Sequence, residues 1–97
     1  MPSPVELAVE HVESTQEGSA VCVVRCLSGV VEPGTLVLAG TDAEAPAQDG
    51  TLRIDWIKRY ERMVDILDPP HNAKVQLSGP TVSYVRHGTR LRSTAPH

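Results

Sequence analysis

Apolar and polar side chains alternate along much of the chain, with the two-residue period of a β-strand that has one buried face. The first such segment begins at Val5 and ends near Ser14. The run Ala20–Leu27 is apolar except for Arg25, so it predicts a strand covered on both faces, with the inward face undecided. Shorter segments with strand character follow at Thr35–Ala39, Leu52–Ile57, Asn72–Leu77, Val82–Arg86 and Arg90–Arg92.

Glycine and proline mark the connections between these segments. Gly29–Gly34 has two glycines and a proline around a pair of valines, which predicts a tight reversal between the strand before it and the strand at Thr35–Ala39. Gly40–Gly50 contains no large apolar residue and predicts a mobile surface loop. We expect Ser93–His97 to be a frayed tail.

The segment Ile57–Leu67 is compatible with two structures. Its apolar residues have helical spacing, but Ile57–Val64 can also be extended. Asp68-Pro69-Pro70 follows and would end a helix, because the residue before a proline avoids the helical conformation. We favour a long strand that curls into the proline turn and keep the helix as the alternative.

The chain length of 97 residues is sufficient for one domain with a modest core. Only three side chains are aromatic, Trp56, Tyr60 and Tyr84, so the core must consist mostly of valine, leucine and isoleucine. Such cores with regular turns favour strands over helices. The sequence therefore predicts an all-β fold, a small closed Greek-key-like barrel of six or seven strands formed by residues 1–97 as a single domain.

The net charge of −3 is unevenly distributed along the chain. Residues 1–50 contain eight acidic residues and one basic residue, whereas residues 51–97 contain eight basic and four acidic ones, which gives −7 and +4. Two interpretations stay open. Either the charges of the two halves intermingle in one barrel, or the second half forms a basic face for an anionic partner.

Cys22 and Cys26 lie four residues apart on the predicted second strand. At about 3.3 Å per residue their Cα atoms would be about 13 Å apart, whereas a disulfide needs about 7 Å or less. We therefore expect two reduced thiols in the core. Neither C-x-x-C nor H-x-x-x-H occurs, so the sequence predicts no zinc site.

The sequence contains no group of residues typical of catalysis or of cofactor binding. Its four histidines are dispersed, its serines lack a nucleophile-elbow context, and no G-x-x-x-x-G-K-[ST] phosphate-binding loop occurs. No apolar run is long enough to span a membrane, and the N-terminus lacks the features of a secretion signal. We therefore expect a cytoplasmic protein that is not an enzyme, that has no cofactor or metal, and that does not bind GTP.

Three blocks of the chain form an ordered set of short motifs. The first runs from Val9-Glu10-His11-Val12 to Gly29–Gly34, the second is Ile57–Gly79, which ends in Asn72-Ala73-Lys74-Val75-Gln76-Leu77-Ser78-Gly79, and the third is Val85–Leu91. In this order the blocks cover most of the chain, and they resemble the second domain of translational GTPases such as elongation factor Tu. The resemblance implies that family's β-barrel fold, without its GTPase domain.

In that family the barrel helps to hold the aminoacylated end of transfer RNA, and the resemblance carries some of those positions to this chain. An acidic residue at the end of the first strand is retained as Glu10, and an asparagine before the late strand is retained as Asn72. An arginine position falls near Gly18 and is lost, and a glutamate position falls at Lys58, which reverses its charge. Structural alternatives exist for both retained residues: a solvated strand residue for Glu10, and a turn residue that bonds its own backbone for Asn72.

Two hypotheses of function follow from these observations. In the first, the protein is a stand-alone, monomeric translation-factor-like barrel whose partner is RNA or a ribosome-associated protein. Its candidate site residues are then Glu10 and Asn72 together with phosphate-binding arginines, namely Arg59, Arg62, Arg86, Arg90 and Arg92. In the second, the barrel surface and the Gly40–Gly50 loop bind a partner protein. For the arginines near His87-Gly88, a solvated edge that discourages pairing between sheets is the structural alternative.

Overall fold

The computed structural model describes residues 5–40 and 51–93, which form seven β-strands and one short 3-10 helix. In chain order these elements are β1 (Glu6–Gln16), β2 (Ser19–Ser28), β3 (Leu36–Gly40), β4 (Thr51–Arg59), β5 (Arg62–Val64), β6 (Asn72–Ser78), the 3-10 helix (Val82–Tyr84) and β7 (Arg90–Ser93). Apart from Gly40, which ends β3, the predicted Gly40–Gly50 loop lies outside the described residues. Within the described ranges no helix is long and apolar enough to cross a membrane.

Six of the strands close into an antiparallel barrel. Hydrogen-bonded neighbours follow the order β3-β7-β1-β2-β6-β4, and β4 pairs in turn with β3. Among the described strands, β5 pairs with β4 alone and lies beside the barrel as an additional strand. The predicted all-β fold, a small closed barrel of six or seven strands, is therefore confirmed.

Strand alternation directs one face of each long strand into a shared core. On β2 the inward residues are Ala20, Cys22, Val24 and Cys26, which settles the orientation that the apolar run left open. Both cysteines are free and buried, as expected of core thiols, and burial raises the pKa of Cys22 to about 12 because a thiolate would lose its hydration. The largest fully buried side chains include Leu7, Leu52, Ile54, Ile57, Leu67, Leu77 and Leu91.

The connection Gly29–Gly34 differs from the predicted reversal. β2 and β3 are not neighbours in the barrel, so this segment leads from one part of the barrel to another instead of joining two paired strands. Val31 is buried in it, and the backbones of Val31 and Leu67 exchange hydrogen bonds of 2.8 and 2.9 Å. The prediction was wrong because glycine and proline indicate a change of direction but not which strand the chain meets next.

The ambiguous segment Ile57–Leu67 is extended, and the helical alternative was wrong. β4 continues to Arg59, the chain turns at Tyr60-Glu61, and β5 returns along β4. Tyr60 and Glu61 have φ values of 51° and 65°, the left-handed conformation that a two-residue hairpin turn requires. The turn lacks the glycine or asparagine that usually marks it, and the sequence therefore predicted one long strand where the structure has a hairpin.

The predicted strand at Val82–Arg86 is absent from the structure. Val82–Tyr84 instead forms one turn of 3-10 helix, and the buried residues Val82 and Val85 have the three-residue spacing of such a turn rather than strand alternation. β7 begins at Arg90 as predicted and includes Ser93, whose N–H donates to the carbonyl oxygen of Val5. The rest of the predicted frayed tail lies outside the described residues.

Candidate functional site at the β4–β5 hairpin

Glu10, Arg25 and Asn72 form a polar cluster on three neighbouring strands, β1, β2 and β6. Arg25 Nε donates to Glu10 Oε2 at 2.8 Å, and Asn72 Nδ2 donates to Glu10 Oε1 at 3.3 Å. Arg25 Nη1 also donates to the carbonyl oxygen of Pro70 at 2.7 Å. The structure therefore brings two of the predicted site residues, Glu10 and Asn72, into direct contact. Arg25 holds the Glu10 carboxylate from its other oxygen.

These contacts stabilise the charged form of the Glu10 side chain. The hydrogen bond from Arg25 is the main cause that lowers the pKa of Glu10, and the bond from Asn72 acts in the same direction. The charge of His87 contributes further. Asn72 is thus a strand residue whose amide bonds another side chain, and the alternative of a turn residue bonded to its own backbone was wrong.

Cationic side chains lie next to this cluster, toward β4 and β5. In the sheet register, Lys74 on β6 lies opposite Lys58 on β4, and Arg59 on β4 lies opposite Arg62 on β5. Directly opposed residues of an antiparallel pair have side chains on the same face, and like charges in such positions are destabilising. Lys58 and Arg59 are successive residues of β4, so the two pairs lie on opposite faces of the sheet, and an anionic ligand would relieve the repulsion in the pair that it contacts.

Only one of these four cations has a carboxylate partner in the described part of the chain. Lys74 Nζ lies 2.9 Å from Glu13 Oε1, and this contact raises the pKa of Lys74. Lys58, Arg59 and Arg62 form no ion pair with any described residue. The hairpin and its base consequently carry uncompensated positive charge.

An open pocket of about 190 Å³ lies where the hairpin meets β6 and β2. Tyr60 occupies the tip of the hairpin turn and is 86% exposed, and its ring centroid lies 5.3 Å from the guanidinium carbon of Arg59. Both residues line the pocket, and the lining also includes Val23, Lys58, Glu61, Asn72, Ala73 and Lys74. The pocket therefore combines several cations, the carboxylate of Glu61, one amide and an exposed aromatic ring.

The basic residues of β7 lie on a different side of the barrel. β1, β2 and β6 separate β7 from β4 in one direction, and β3 separates them in the other. Arg90 Nη1 donates to Glu6 Oε2 at 2.7 Å, and Arg92 Nη2 lies 3.8 Å from the same oxygen. Leu91 between them is buried, in keeping with strand alternation, and Arg86 is exposed before β7 begins. Here the charges of the two halves do intermingle, whereas at the hairpin the positive charge remains.

The sequence analysis did not predict three residues of the site, namely Arg25, Tyr60 and Lys74. Arg25 did give a signal, since it is the one basic residue of positions 1–50 and interrupts an apolar strand. Tyr60 and Lys74 gave none, because the position of the hairpin turn and the register of β6 on β4 are properties of the fold. Among residues 5–40 and 51–93 no group of three or more side chains suits a metal ion.

Comparison with known proteins defines the class to which this fold belongs. Neither a protein-family model nor a curated protein matches the sequence. Among solved structures, translation elongation factor SelB from Methanococcus maripaludis, in its apo form, is similar, with a TM-score of 0.77 at 13% sequence identity. The match covers 95% of this chain and 19% of the SelB chain. The chain therefore has the fold of a translation-factor β-barrel domain, in agreement with its resemblance to the second domain of elongation factor Tu.

Proposed function

We propose that this chain is a non-enzymatic, translation-factor-like barrel that binds single-stranded RNA at the β4–β5 hairpin. The observation that carries the proposal is the group of cations without a carboxylate partner, Lys58, Arg59 and Arg62, on a hairpin whose turn bears the exposed ring of Tyr60. Lysine and arginine bind phosphate oxygens, and an exposed aromatic ring stacks on an unpaired base. The two kinds of contact together suit a single strand, whose bases are accessible.

The distribution of charge supports a local site rather than a general affinity for nucleic acid. The whole chain carries a net charge of −3, which disfavours non-specific binding to RNA. The cations that remain without carboxylate partners on β4 and β5 are adjacent to one another, so the positive potential is concentrated there. We assign the phosphate contacts to Arg59 and Arg62 before Arg90 and Arg92, because Glu6 lies close to both of the latter.

The class of fold gives the proposal its context. One solved structure of similar fold is named a translation elongation factor, and the match covers 19% of its chain. We therefore propose RNA of the translation apparatus as the partner, with the barrel acting as a monomer. The two free cysteines fit a reducing compartment, and we propose that the protein works in the cytoplasm.

Titration of the protein with transfer RNA and with an unstructured RNA oligonucleotide, at a series of salt concentrations, tests the proposal. The Arg59→Gln/Arg62→Gln double variant should bind RNA more weakly. The slope of log K against log salt concentration should also be less steep by about 1.4, because each phosphate contact to a single strand contributes about 0.7 to this slope. Arg90→Gln/Arg92→Gln is the matched control and should retain the wild-type slope. Absence of binding at low salt, or equal loss in both double variants, would refute the assignment.

A second pair of variants separates base stacking from charge. Tyr60→Ala should weaken binding of the oligonucleotide by about 1–3 kcal/mol, the usual contribution of one stacked base. Tyr84→Ala removes the other exposed tyrosine, which is 61% exposed on the 3-10 helix, and should leave the affinity unchanged. If the two alanine variants bind alike, Tyr60 does not stack on a base and the contact is purely electrostatic, which contradicts the proposed single-stranded mode.

A further inference from the structure

We propose that the outer face of β3 and its two neighbours is a docking surface for an acidic amphipathic helix of a partner protein. β3 lies between β4 and β7, and its alternation divides it sharply: Val37 is fully buried, whereas Leu36 and Leu38 face outward with 46% and 42% of their surface exposed. Two leucines in alternate positions on one strand form a short apolar strip. The proposal goes beyond RNA binding and does not depend on it.

Arginines flank this strip on both sides. In the sheet register, Arg53 on β4 lies opposite Leu36, and Arg92 on β7 lies opposite Leu38. Opposed residues share a face of the sheet, so each arginine lies beside a leucine and the two arginines lie on opposite borders of the strip. The surface thus has an apolar centre and a positive border on either side, which is the complement of a helix with a leucine face bordered by glutamates.

The guanidinium groups of this surface each lie near a carboxylate of the chain but form no hydrogen bond with it, so they can still donate to a partner. Arg53 Nε is 4.0 Å from Asp55 Oδ1, and Arg92 Nη2 is 3.8 Å from Glu6 Oε2, so both contacts are too long for hydrogen bonds. The two arginine side chains are 65% and 60% exposed. Protein interfaces are enriched in arginine and depleted in lysine, and this face carries arginine where the hairpin site also carries lysine.

The face is separate from the hairpin site. Arg53 and Lys58 both lie on β4, five residues apart, which is about 17 Å along an extended strand. RNA would leave the leucines without an apolar partner. A second copy of the chain would bring the same arginines together across the contact, where their like charges would repel each other. An acidic amphipathic helix satisfies both the leucines and the arginines.

The experiment uses two synthetic helical peptides as probes. The first has leucines along one face and glutamates on both borders, and the second has lysines in place of the glutamates. Backbone amide shifts of the protein are followed by NMR while each peptide is added. The acidic peptide should bind saturably with shifts centred on β3 and on its pairing residues in β4 and β7, and the lysine peptide should not bind. No saturation, or equal binding of the two peptides, would overturn the proposal.

Variants then assign the contact to the two halves of the surface. Leu36→Ser/Leu38→Ser and, separately, Arg53→Glu/Arg92→Glu should each weaken the acidic peptide by about tenfold or more, the equivalent of about 1.4 kcal/mol. Val30→Ser/Ile66→Ser removes a comparable exposed apolar pair elsewhere, 53% and 52% exposed, and should bind as the wild type does. If this control loses as much affinity as the leucine variant, the binding is unspecific and the docking surface is refuted.

Independence from RNA binding is checked with the hairpin variant. Arg59→Gln/Arg62→Gln should bind the acidic peptide with wild-type affinity, because its changed residues lie at the opposite end of β4 from Arg53. The failure of one proposal is thereby distinguishable from the failure of the other. Loss of peptide binding in this variant would place the peptide on the hairpin and overturn the assignment to β3.

Discussion

Replacing Gly79 by alanine should destabilise the barrel far more than the same replacement at Gly18. A Cβ atom on Gly79 would lie 2.6 Å from the carbonyl oxygen of Thr51 and 2.8 Å from Leu52 Cδ2, at the start of β4. Gly79 follows directly on β6, so its missing side chain lets β6 and β4 approach each other at this point. Gly18 also has a positive φ, +83° compared with +149°, but a Cβ there would meet nothing within 4 Å.

The two variants share one cost and differ in another. An L residue in the left-handed conformation, as at Gly18, costs about 1–2 kcal/mol, and the φ of +149° at Gly79 is at least as unfavourable for an L residue. Only Gly79→Ala adds a steric overlap with backbone, for which overpacking of a tight site costs about 1–3 kcal/mol. We therefore expect a loss of about 1–2 kcal/mol for Gly18→Ala and about 2–5 kcal/mol for Gly79→Ala. A chain of this length is stable by about 5–15 kcal/mol, so most of this range leaves a folded protein to measure.

Urea unfolding followed by the fluorescence of Trp56, the single tryptophan, measures both losses. With a slope m of about 1–3 kcal/mol/M, the additional loss in Gly79→Ala should appear as a clearly lower midpoint at unchanged m. Equal midpoints for the two variants would refute the close approach of β4 to Gly79. A changed m in Gly79→Ala would indicate an altered native or unfolded state instead of a strained barrel.

Two further variants test the cluster and the hairpin. The pKa of Glu10 is lowered from 4.5 by Arg25 and Asn72, so its contribution to stability is present above pH 4.5 and is lost as the pH falls through its folded pKa. Glu10→Gln should therefore be less stable than the wild type at neutral pH, by no more than about 1 kcal/mol, because the ion pair is partly exposed. The difference in the free energy of unfolding should vanish in acid. A difference that does not depend on pH would contradict the ion pair. Tyr60→Asn/Glu61→Gly should raise the free energy of unfolding by about 1 kcal/mol, because these residues suit the left-handed turn, and should weaken RNA binding. Stabilisation with unchanged affinity would show that Tyr60 serves only the turn.

The closed barrel was predictable because its signal is repeated in almost every segment. Several independent segments indicate half-buried or buried sheet: the alternation of the first strand, the apolar run at Ala20–Leu27 and the short strands near the end. One error among them does not change the predicted all-β fold class. Single connections lack this redundancy. The path of Gly29–Gly34 depends on Val31 meeting Leu67, which lies 36 positions further along the chain, and no local pattern encodes that contact.

The candidate site was only partly predictable for the same reason. Glu10 and Asn72 were found as separate residues through the family resemblance, but their contact spans 62 positions and depends on the register of β1, β2 and β6. Arg59 and Arg62 were found as basic residues, whereas their opposition across a hairpin could not be, since the turn between them has no glycine or asparagine.

The β4–β5 hairpin departs from the usual preferences of turns and of cross-strand pairs, and these departures support a binding function for it. Between Lys58 and Arg62 the chain has two non-glycine residues in left-handed conformation and the like-charged pair of Arg59 and Arg62 across strands, each of which reduces stability. Elsewhere in the described barrel, as at Arg90 beside Glu6, charges are matched across strands. Natural sequences tend to break such rules where a function requires it, and a barrel shaped by folding alone would place a glycine turn and opposite charges here. These unfavourable contributions coincide with the exposed tyrosine, and an anionic ligand with a stacking group would offset the charge repulsion at the hairpin.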